Sequence, residues 1–551
     1  MRVYELIAKT MRDEGVTDVF GLMGHGNMEV VTHMVKECGL NYVAVRQENA
    51  AVAAAAGFSH TSGRVGVATT NHGPGFTNAV TALTSAVKAH APVVFFVNDP
   101  PSKGGGHNTQ GIDHAGIAQI AGAGFEYVRY AEHAAYQTAK AFRRAKAERR
   151  PIVLNFVPEL FHEEGAPAPV HYGDLADQQR LSPDPRAVQA AADLIERAQR
   201  PIVLAGLGAF ISGARPELER LGERIGALMA STLRGKGFFN GNPYDLGIAG
   251  GFASHLAKRY MAQADCVISF GAAMKRLTMY RFAADATFIH CDRDERVFDT
   301  YWPAACWIQG DAKASAGALL AELERRGVRK AGFRTQGVAE EIAAYSRATE
   351  FEEASTGAAV DPRTAMLEID PLLPVERTLI VDSGLFQGWP PMFMSVPDPA
   401  GFIFAHDFGS VGLALGHAIG AYLGRPDRRP IVAIGDGGFM MSLQEFETAA
   451  RYRIPLIVLV MNDHAYGAEV AVLRRQGNPP DLAFFQNPSF EEVARALGGS
   501  GFTVRSRADI KPAVMGALEC SDGPSLIDIH INGDIVPEWL ATFTFLEALR
   551  P

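Results

Sequence analysis

Residues 430–467, PIVAIGDGGFMMSLQEFETAARYRIPLIVLVMNDHAYG, decide the architecture. The apolar run 431–434 ends in Gly435-Asp436-Gly437-Gly438, a helix is expected from about Ser442, and a second apolar run, 456–461, ends in Asn462-Asp463. Two buried strands joined by one helix form a βαβ unit, in which the strands lie parallel with their C-terminal ends side by side. Asp436 and Asp463, 27 residues apart, then meet at one sheet edge. Facing carboxylates repel unless a cation lies between them, and hard oxygen ligands select Mg2+ or Ca2+. Gly437 and Gly438 let a backbone approach closely, and the helix start offers unpaired N–H groups to an anion. The stretch predicts a metal-bridged diphosphate site.

Working outward, the same strand and helix rhythm recurs. Apolar runs at 18–22, 42–45, 65–70, 92–97 and 151–156 form a first unit, and runs at 202–205, 266–270 and 288–290 form a second. Runs at 379–381, 402–404, 431–434, 456–461 and 526–531 form a third. A proline-bearing stretch, 163–185, reads as a linker, and a polar helical stretch, 319–353, ends the second unit. The fold class expected is α/β: three doubly wound parallel-sheet domains over 1–165, 186–330 and 361–533, then an aromatic tail, 534–551, bearing Trp539, Phe543 and Phe545. The 551 residues are too many for a small binding module. Lys and Arg total 52 against 61 Asp and Glu, a net charge of −9 that offers no broad attraction to nucleic acid or an anionic membrane. The apolar runs fall far short of the roughly 20 residues of a membrane span, and the N-terminus lacks a secretory pattern. Five scattered cysteines in no metal-ligand spacing suit a reducing compartment, so a cytoplasmic enzyme acting on a small molecule is expected.

With these residues in place, the chain resembles the thiamine-diphosphate enzymes of the acetolactate-synthase-like family, whose signature is Gly-Asp-Gly, a stretch of this length, and Asn-Asn. The resemblance runs the whole length, in the order pyrimidine-binding, central and diphosphate-binding domain. It implies Mg2+ held by Asp436, Asp463 and the backbone of Ala465, with Gly437, Gly438, Tyr466 and Gly467 around the cofactor. Asp463 departs from the family's Asn, a competent ligand that adds a negative charge. Asp382-Ser383-Gly384-Leu385-Phe386-Gln387-Gly388-Trp389 matches the segment whose N–H groups, here Gly384, Leu385 and Phe386, reach phosphate oxygens. Phe408-Gly409-Ser410-Val411-Gly412 matches the loop that wedges the cofactor into a bent shape, the wedge falling to Val411.

The resemblance further implies that Glu48, at the start of an Ala-rich helix, bonds the pyrimidine N1′ and promotes the imino tautomer that removes the C2 proton. It places His25 of Gly24-His25-Gly26-Asn27, His72 of Asn71-His72-Gly73-Pro74-Gly75 and Gln110 near the reacting carbonyl, two proton carriers and an amide donor. His107, His114 and His464 read as ordinary structural residues, while Tyr466 and Glu469 could border the cavity. The implied activity is decarboxylation with carboligation of a 2-oxo acid. An aldehyde or hydroxyketone lyase resembling benzaldehyde lyase, or a cyclic-dione hydrolase, is the alternative on the same cofactor. Gly206-Leu207-Gly208 is half of a dinucleotide fingerprint and would serve a nicotinamide-dependent oxidoreductase, a reading that leaves the Asp436/Asp463 pair unexplained. Some relatives carry FAD in this domain; their Gly-x-Arg appears here as Gly271-Ala272-Ala273, which disfavours it. The family also implies a homodimer or homotetramer with each active site shared between chains.

Overall fold

The computed structural model describes residues 1–101, 108–167 and 180–542. Among them, eighteen strands form three six-stranded sheets, parallel at every registered pair. The first sheet is built from β1 (Asp18–Gly21), β2 (Asn41–Ala44), β3 (Gly66–Thr69), β4 (Val93–Asn98), β5 (Gly124–Val128) and β6 (Ile152–Phe156), in the order β2-β1-β3-β4-β6-β5. The second holds β7 (Pro201–Ala205), β8 (Leu228–Ser231), β9 (Asp245–Ile248), β10 (Cys266–Phe270), β11 (Thr287–Asp292) and β12 (Cys306–Gln309), in the order β12-β11-β10-β7-β8-β9. The third holds β13 (Arg377–Val381), β14 (Phe402–Phe404), β15 (Arg429–Gly435), β16 (Ile457–Asn462), β17 (Ser500–Val504) and β18 (Ser525–His530), in the order β14-β13-β15-β16-β18-β17. The first and third orders are the same pattern, and in each the order reverses between the first and third strands of the unit or their neighbours. Such a switch opens a crevice at the carboxyl ends of the strands, where ligands bind in doubly wound sheets.

Five strands escaped the sequence reading. β5, β9, β12 and β17 are sheet edges with half-exposed patterns, and β8 is a four-residue strand. Glu126 of β5 illustrates the effect: it is buried, but Arg144 and Lys140 pair with it.

The first and third units share one core. The Ala-rich helix Glu48–Ser62 lies against the helix Ala414–Gly424 along a seam of small residues. A Cβ on Gly420 would stand 1.8 Å from the Ala54 carbonyl oxygen, and one on Gly57 would stand 2.2 Å from that of His417. The same seam is extended by Arg46, whose N–H donates to the buried Glu445 carboxylate at 3.1 Å. At the chain's far end, Trp539 is buried against Phe252 of the central unit and Gly388 of the third. Phe543 and Phe545, residues 168–179 of the expected linker, and His107 lie outside the described residues. Among the described residues no helix is long and apolar enough to cross a membrane.

Candidate active site

β15 and β16 are neighbours, with Gly435 opposite Met461, so the residues just past their ends come together. The helix after β15 begins at Asp436 itself and runs to Ser442, with a second helix over Gln444–Arg451. The expected start near Ser442 is therefore corrected by about two turns. The cause is local: Gly435 takes an extended conformation as N-cap, and a carboxylate at the first helical position is favoured by the helix dipole.

Asp436 is 2% exposed. Burial pushes its pKa up to about 6, against the pull of the Asn487 amide and the N–H groups of Gly437, Ala465 and His464. Burial, and after it the neighbouring Asp436 charge, raise Asp463 to about 7. Among the described residues no lysine or arginine pairs with either one, and no three His, Cys, Asp or Glu side chains converge as a self-sufficient metal cage. A buried and a half-buried carboxylate without a counter-charge are what a divalent cation with further backbone and phosphate ligands would neutralise. Ala465 supplies backbone at the right place. It bridges Phe484 through its neighbours, by Tyr466 N–H to Ala483 O and Phe485 N–H to His464 O. In such a pair the central residue's own N–H and C=O point away from the partner strand. Its N–H goes to the two aspartates, and its carbonyl is left on that same side. The backbone runs close to its neighbours around the pair: a Cβ on Gly467 would stand 2.3 Å from Asp463 Oδ2, and one on Gly437 would stand 2.8 Å from the Tyr466 ring.

The segment after β13 closes over this point. Asp382 is fully buried, and burial pushes it up to about 7 although the N–H groups of Gly412, Ser383, Leu413 and Ala414 all stabilise its charge. Gly412 N–H donates at 2.8 Å. That contact fastens the loop bearing Gly409, Ser410 and Val411 onto the loop bearing Gly384, Leu385 and Phe386. Leu385 and Phe386 are buried, their side chains facing Gly467 and Gly435, while Val411 is 40% exposed and lies against Gly438. Ser410 Oγ is buried, with no hydrogen-bond partner among the described residues. Tyr466 and Glu469 are exposed.

In the first unit the predicted loops also meet. Asn71 Oδ1 accepts from Gly26 N–H at 2.9 Å, tying the His25 loop to the His72 turn. His72 is buried, with Nδ1 3.3 Å from Asn98 Oδ1, whereas His25 is exposed and Gln110 half-buried. A Cβ on Gly73 would stand 2.4 Å from the Gln110 carbonyl oxygen, so the Gln110 backbone packs against that turn. Glu48 is half-buried at the first position of its helix and accepts from Asn78 Nδ2 at 3.2 Å. The roles of Asn71 and Asn487 in loops and of Asn98 at the end of β4 were missed, because a lone asparagine carries no spacing that marks what it bonds. In the central unit the Gly208 N–H, which a dinucleotide phosphate would use, donates to Gly271 O at 3.0 Å.

Comparison with known proteins accords with this geometry. Residues 1–117 match the description "Thiamine pyrophosphate enzyme, N-terminal TPP binding domain", 188–319 the central domain and 382–529 the C-terminal TPP binding domain. The chain is 29% identical to a sulfoacetaldehyde acetyltransferase of Alcaligenes xylosoxydans, covering 94% of this chain and 90% of that protein. It is 28% identical to the acetolactate synthase large subunit of Parasynechococcus marenigrum, over 95% and 86%. With an acetolactate synthase of Mycobacterium leprae the identity is 27%, over 96% and 87%. Three consecutive domain matches and full-length relatives place this chain in the acetolactate-synthase-like family of thiamine-pyrophosphate-dependent enzymes, which make and break C–C bonds.

Proposed function

We propose that the chain decarboxylates a 2-oxo acid and joins the remaining fragment to a second carbonyl compound, with Mg2+ and thiamine diphosphate held at the end of β15 and β16. The carrying observation is the pair Asp436 and Asp463, both shifted upward by burial and lacking any cationic side-chain partner among the described residues. When bound, the cofactor would supply a nucleophilic carbon and an electron sink for C–C cleavage. The chain's residues bind and orient. Asp436, Asp463 and the Ala465 carbonyl hold the metal, and the N–H groups of Gly384, Leu385 and Phe386 receive the diphosphate. Gly409, Ser410, Gly437, Gly438 and Gly467 would leave room for it, Tyr466 would flank it, and Val411 would wedge against it. Glu48 holds a proton at the pyrimidine N1′. His25, His72 and Gln110 face the carbonyl and handle protons after cleavage.

A shared site in a homodimer or homotetramer is supported by the apolar rim around this point. Phe408, Val411, Met440, Met441 and Tyr466 are each 40–51% exposed, an apolar surface that a second chain would cover. Similarity to a sulfoacetaldehyde acetyltransferase supports a second outcome, transfer of the two-carbon fragment as an acyl group, at the same residues.

Titration calorimetry tests the reading. Thiamine diphosphate should bind only with Mg2+ present, and Asp436→Ala should abolish binding. Tight binding by that variant in excess chelator overturns the metal-bridged site.

A further inference from the structure

We infer that His114, a residue the sequence marks as ordinary, is a positioning residue that sets the His72 turn through a single hydrogen bond and does so only while its ring is neutral. The inference rests on the proposal that His72 handles protons at the substrate. His114 opens the helix His114–Ala121 and is buried. Its Nε2 is 3.2 Å from the Gly73 nitrogen. A backbone N–H can only donate, so Nε2 must be the acceptor and the ring's proton must sit on Nδ1. That Nδ1 is 2.9 Å from Asn155 Oδ1 and 3.5 Å from Asp99 Oδ1, two acceptors that select the same tautomer. Asp99 is itself fastened by the Tyr127 hydroxyl. The ring centroid lies 4.5 Å from that of Phe76, which packs against the imidazole.

The recipient of this bond is an unusual stretch of backbone. Gly73 has φ +59° and ψ −113°, a conformation that L side chains rarely adopt. Its neighbours are Asn71, which holds the His25 loop, and His72. One acceptor therefore sets the turn that carries one proposed proton carrier and clamps the loop of the other. Protonation of His114 would turn Nε2 into a donor facing a donor and break the tether. The charged and titratable groups facing the ring are Asp99, Asp113 and His72; Asp99 and Asp113 favour its protonation, while burial and His72 oppose it.

The test compares His114→Phe, which keeps a flat ring but no acceptor, with His114→Gln, whose amide oxygen can still accept. Hydrogen exchange of the Gly73–Asn78 amides is followed as a function of pH and corrected for intrinsic rates. In the wild type, corrected exchange should rise at least tenfold on acidification. In His114→Gln it should stay flat with pH, and in His114→Phe it should be fast throughout. With pyruvate as the 2-oxo acid probe, His114→Phe should lower kcat about tenfold with KM within twofold, and His114→Gln should recover most of kcat. Cofactor affinity and C2 proton exchange should be unchanged in both. A wild-type exchange profile flat with pH, or a His114→Phe kcat within twofold of wild type while His72→Ala falls tenfold, overturns the inference. Should His114→Phe fail to fold, the wild-type and His114→Gln profiles decide alone. If the wild type does not turn over pyruvate, or His72→Ala is fully active, it is the function reading that fails; the exchange profiles still decide the tether.

Discussion

The Asn487 side-chain amide lies 2.7 Å from Asp436 Oδ2, and the same nitrogen lies 3.1 Å from Asn462 Oδ1. One residue from a distant loop thus ties together the two strand ends that carry the proposed metal ligands. Asn462 is anchored in turn, its own amide donating to Asp528 Oδ1 at 2.9 Å.

Asn487→Ala should therefore weaken cofactor binding without unfolding the protein. A hydrogen bond to a charged group contributes about 1.5–3 kcal/mol, which corresponds to a rise of roughly 10- to 100-fold in the dissociation constant. Calorimetry in saturating Mg2+ measures it. An unchanged constant would show that Asn487 only fills space.

Asp382 makes a second such claim. Its buried carboxylate accepts from the N–H groups of Gly412 and Leu413, where the Gly409–Gly412 loop ends, and Asp382→Ala would leave both unpaired, at about 1–3 kcal/mol each. Loss of midpoint stability in urea, with faster proteolysis in the Gly409–Gly412 loop, is expected. Asp382→Asn retains one acceptor and should recover part of the loss.

How far the sequence carried this reading follows from what each feature depends on. The three sheets were visible because most of their central strands are continuous apolar runs, which is the mark of a sheet buried on both faces; β8, four residues long, is the central strand that was missed. Asp436 and Asp463 were visible because a single βαβ unit sets their spacing, so local pattern and site coincide. The edge strands β5 and β12 were not visible, because half-exposure dilutes the run. Asn487 in a loop and Asn98 at the end of β4 act across the fold, and nothing local distinguishes an asparagine that bonds a buried carboxylate or histidine from one that bonds water. His114 was read as structural because only the three-dimensional meeting of Gly73, Asn155 and Asp99 reveals its tautomer.

The seam between the first and third units gives a contrast between two glycines. A methyl at Gly420 would collide with backbone at 1.8 Å, whereas one at Gly317, inside the helix Ala312–Arg325, would meet nothing within 4 Å. Gly420→Ala should destabilise by about 1–3 kcal/mol or more through overpacking. Gly317→Ala should stabilise by about 0.5–1 kcal/mol through helix propensity. Thermal unfolding of the two variants side by side decides it, and equal shifts would mean the seam is not closely packed.

Glu445 sets a pH dependence. It is 1% exposed, and burial pushes it from an ordinary 4.5 up to about 7, despite bonds from Thr448 and the Arg46 N–H. Because the folded pKa lies above the unfolded one, the folded state binds the extra proton between those two values. Stability from this group is therefore full below about pH 4.5 and falls as pH rises through about 7. Glu445→Gln removes the titration, so its stability relative to wild type should increase steadily across that window in urea titrations. A difference that stays constant with pH would show that Glu445 is ionised without penalty.

The last prediction concerns which chain supplies which residue. Glu48 belongs to the first unit and Asp436 to the third, and one small cofactor must reach both. If the site spans two chains, each chain of a dimer contributes its Glu48 to one site and its Asp436 to the other. Glu48→Gln and Asp436→Ala proteins should each be nearly inactive alone. Unfolded and refolded together, half of the dimers formed at random would be mixed. Each mixed dimer has one site bearing both substitutions and one bearing neither, so about a quarter of all sites should regain activity. If both residues of a site came from one chain, every site in a mixed dimer would carry one substitution and no activity could return. Differently tagged chains, recovered by two affinity steps, would prove that subunits exchanged. Activity confined to the doubly tagged fraction is the expected result, and its absence there would assign the whole site to a single chain.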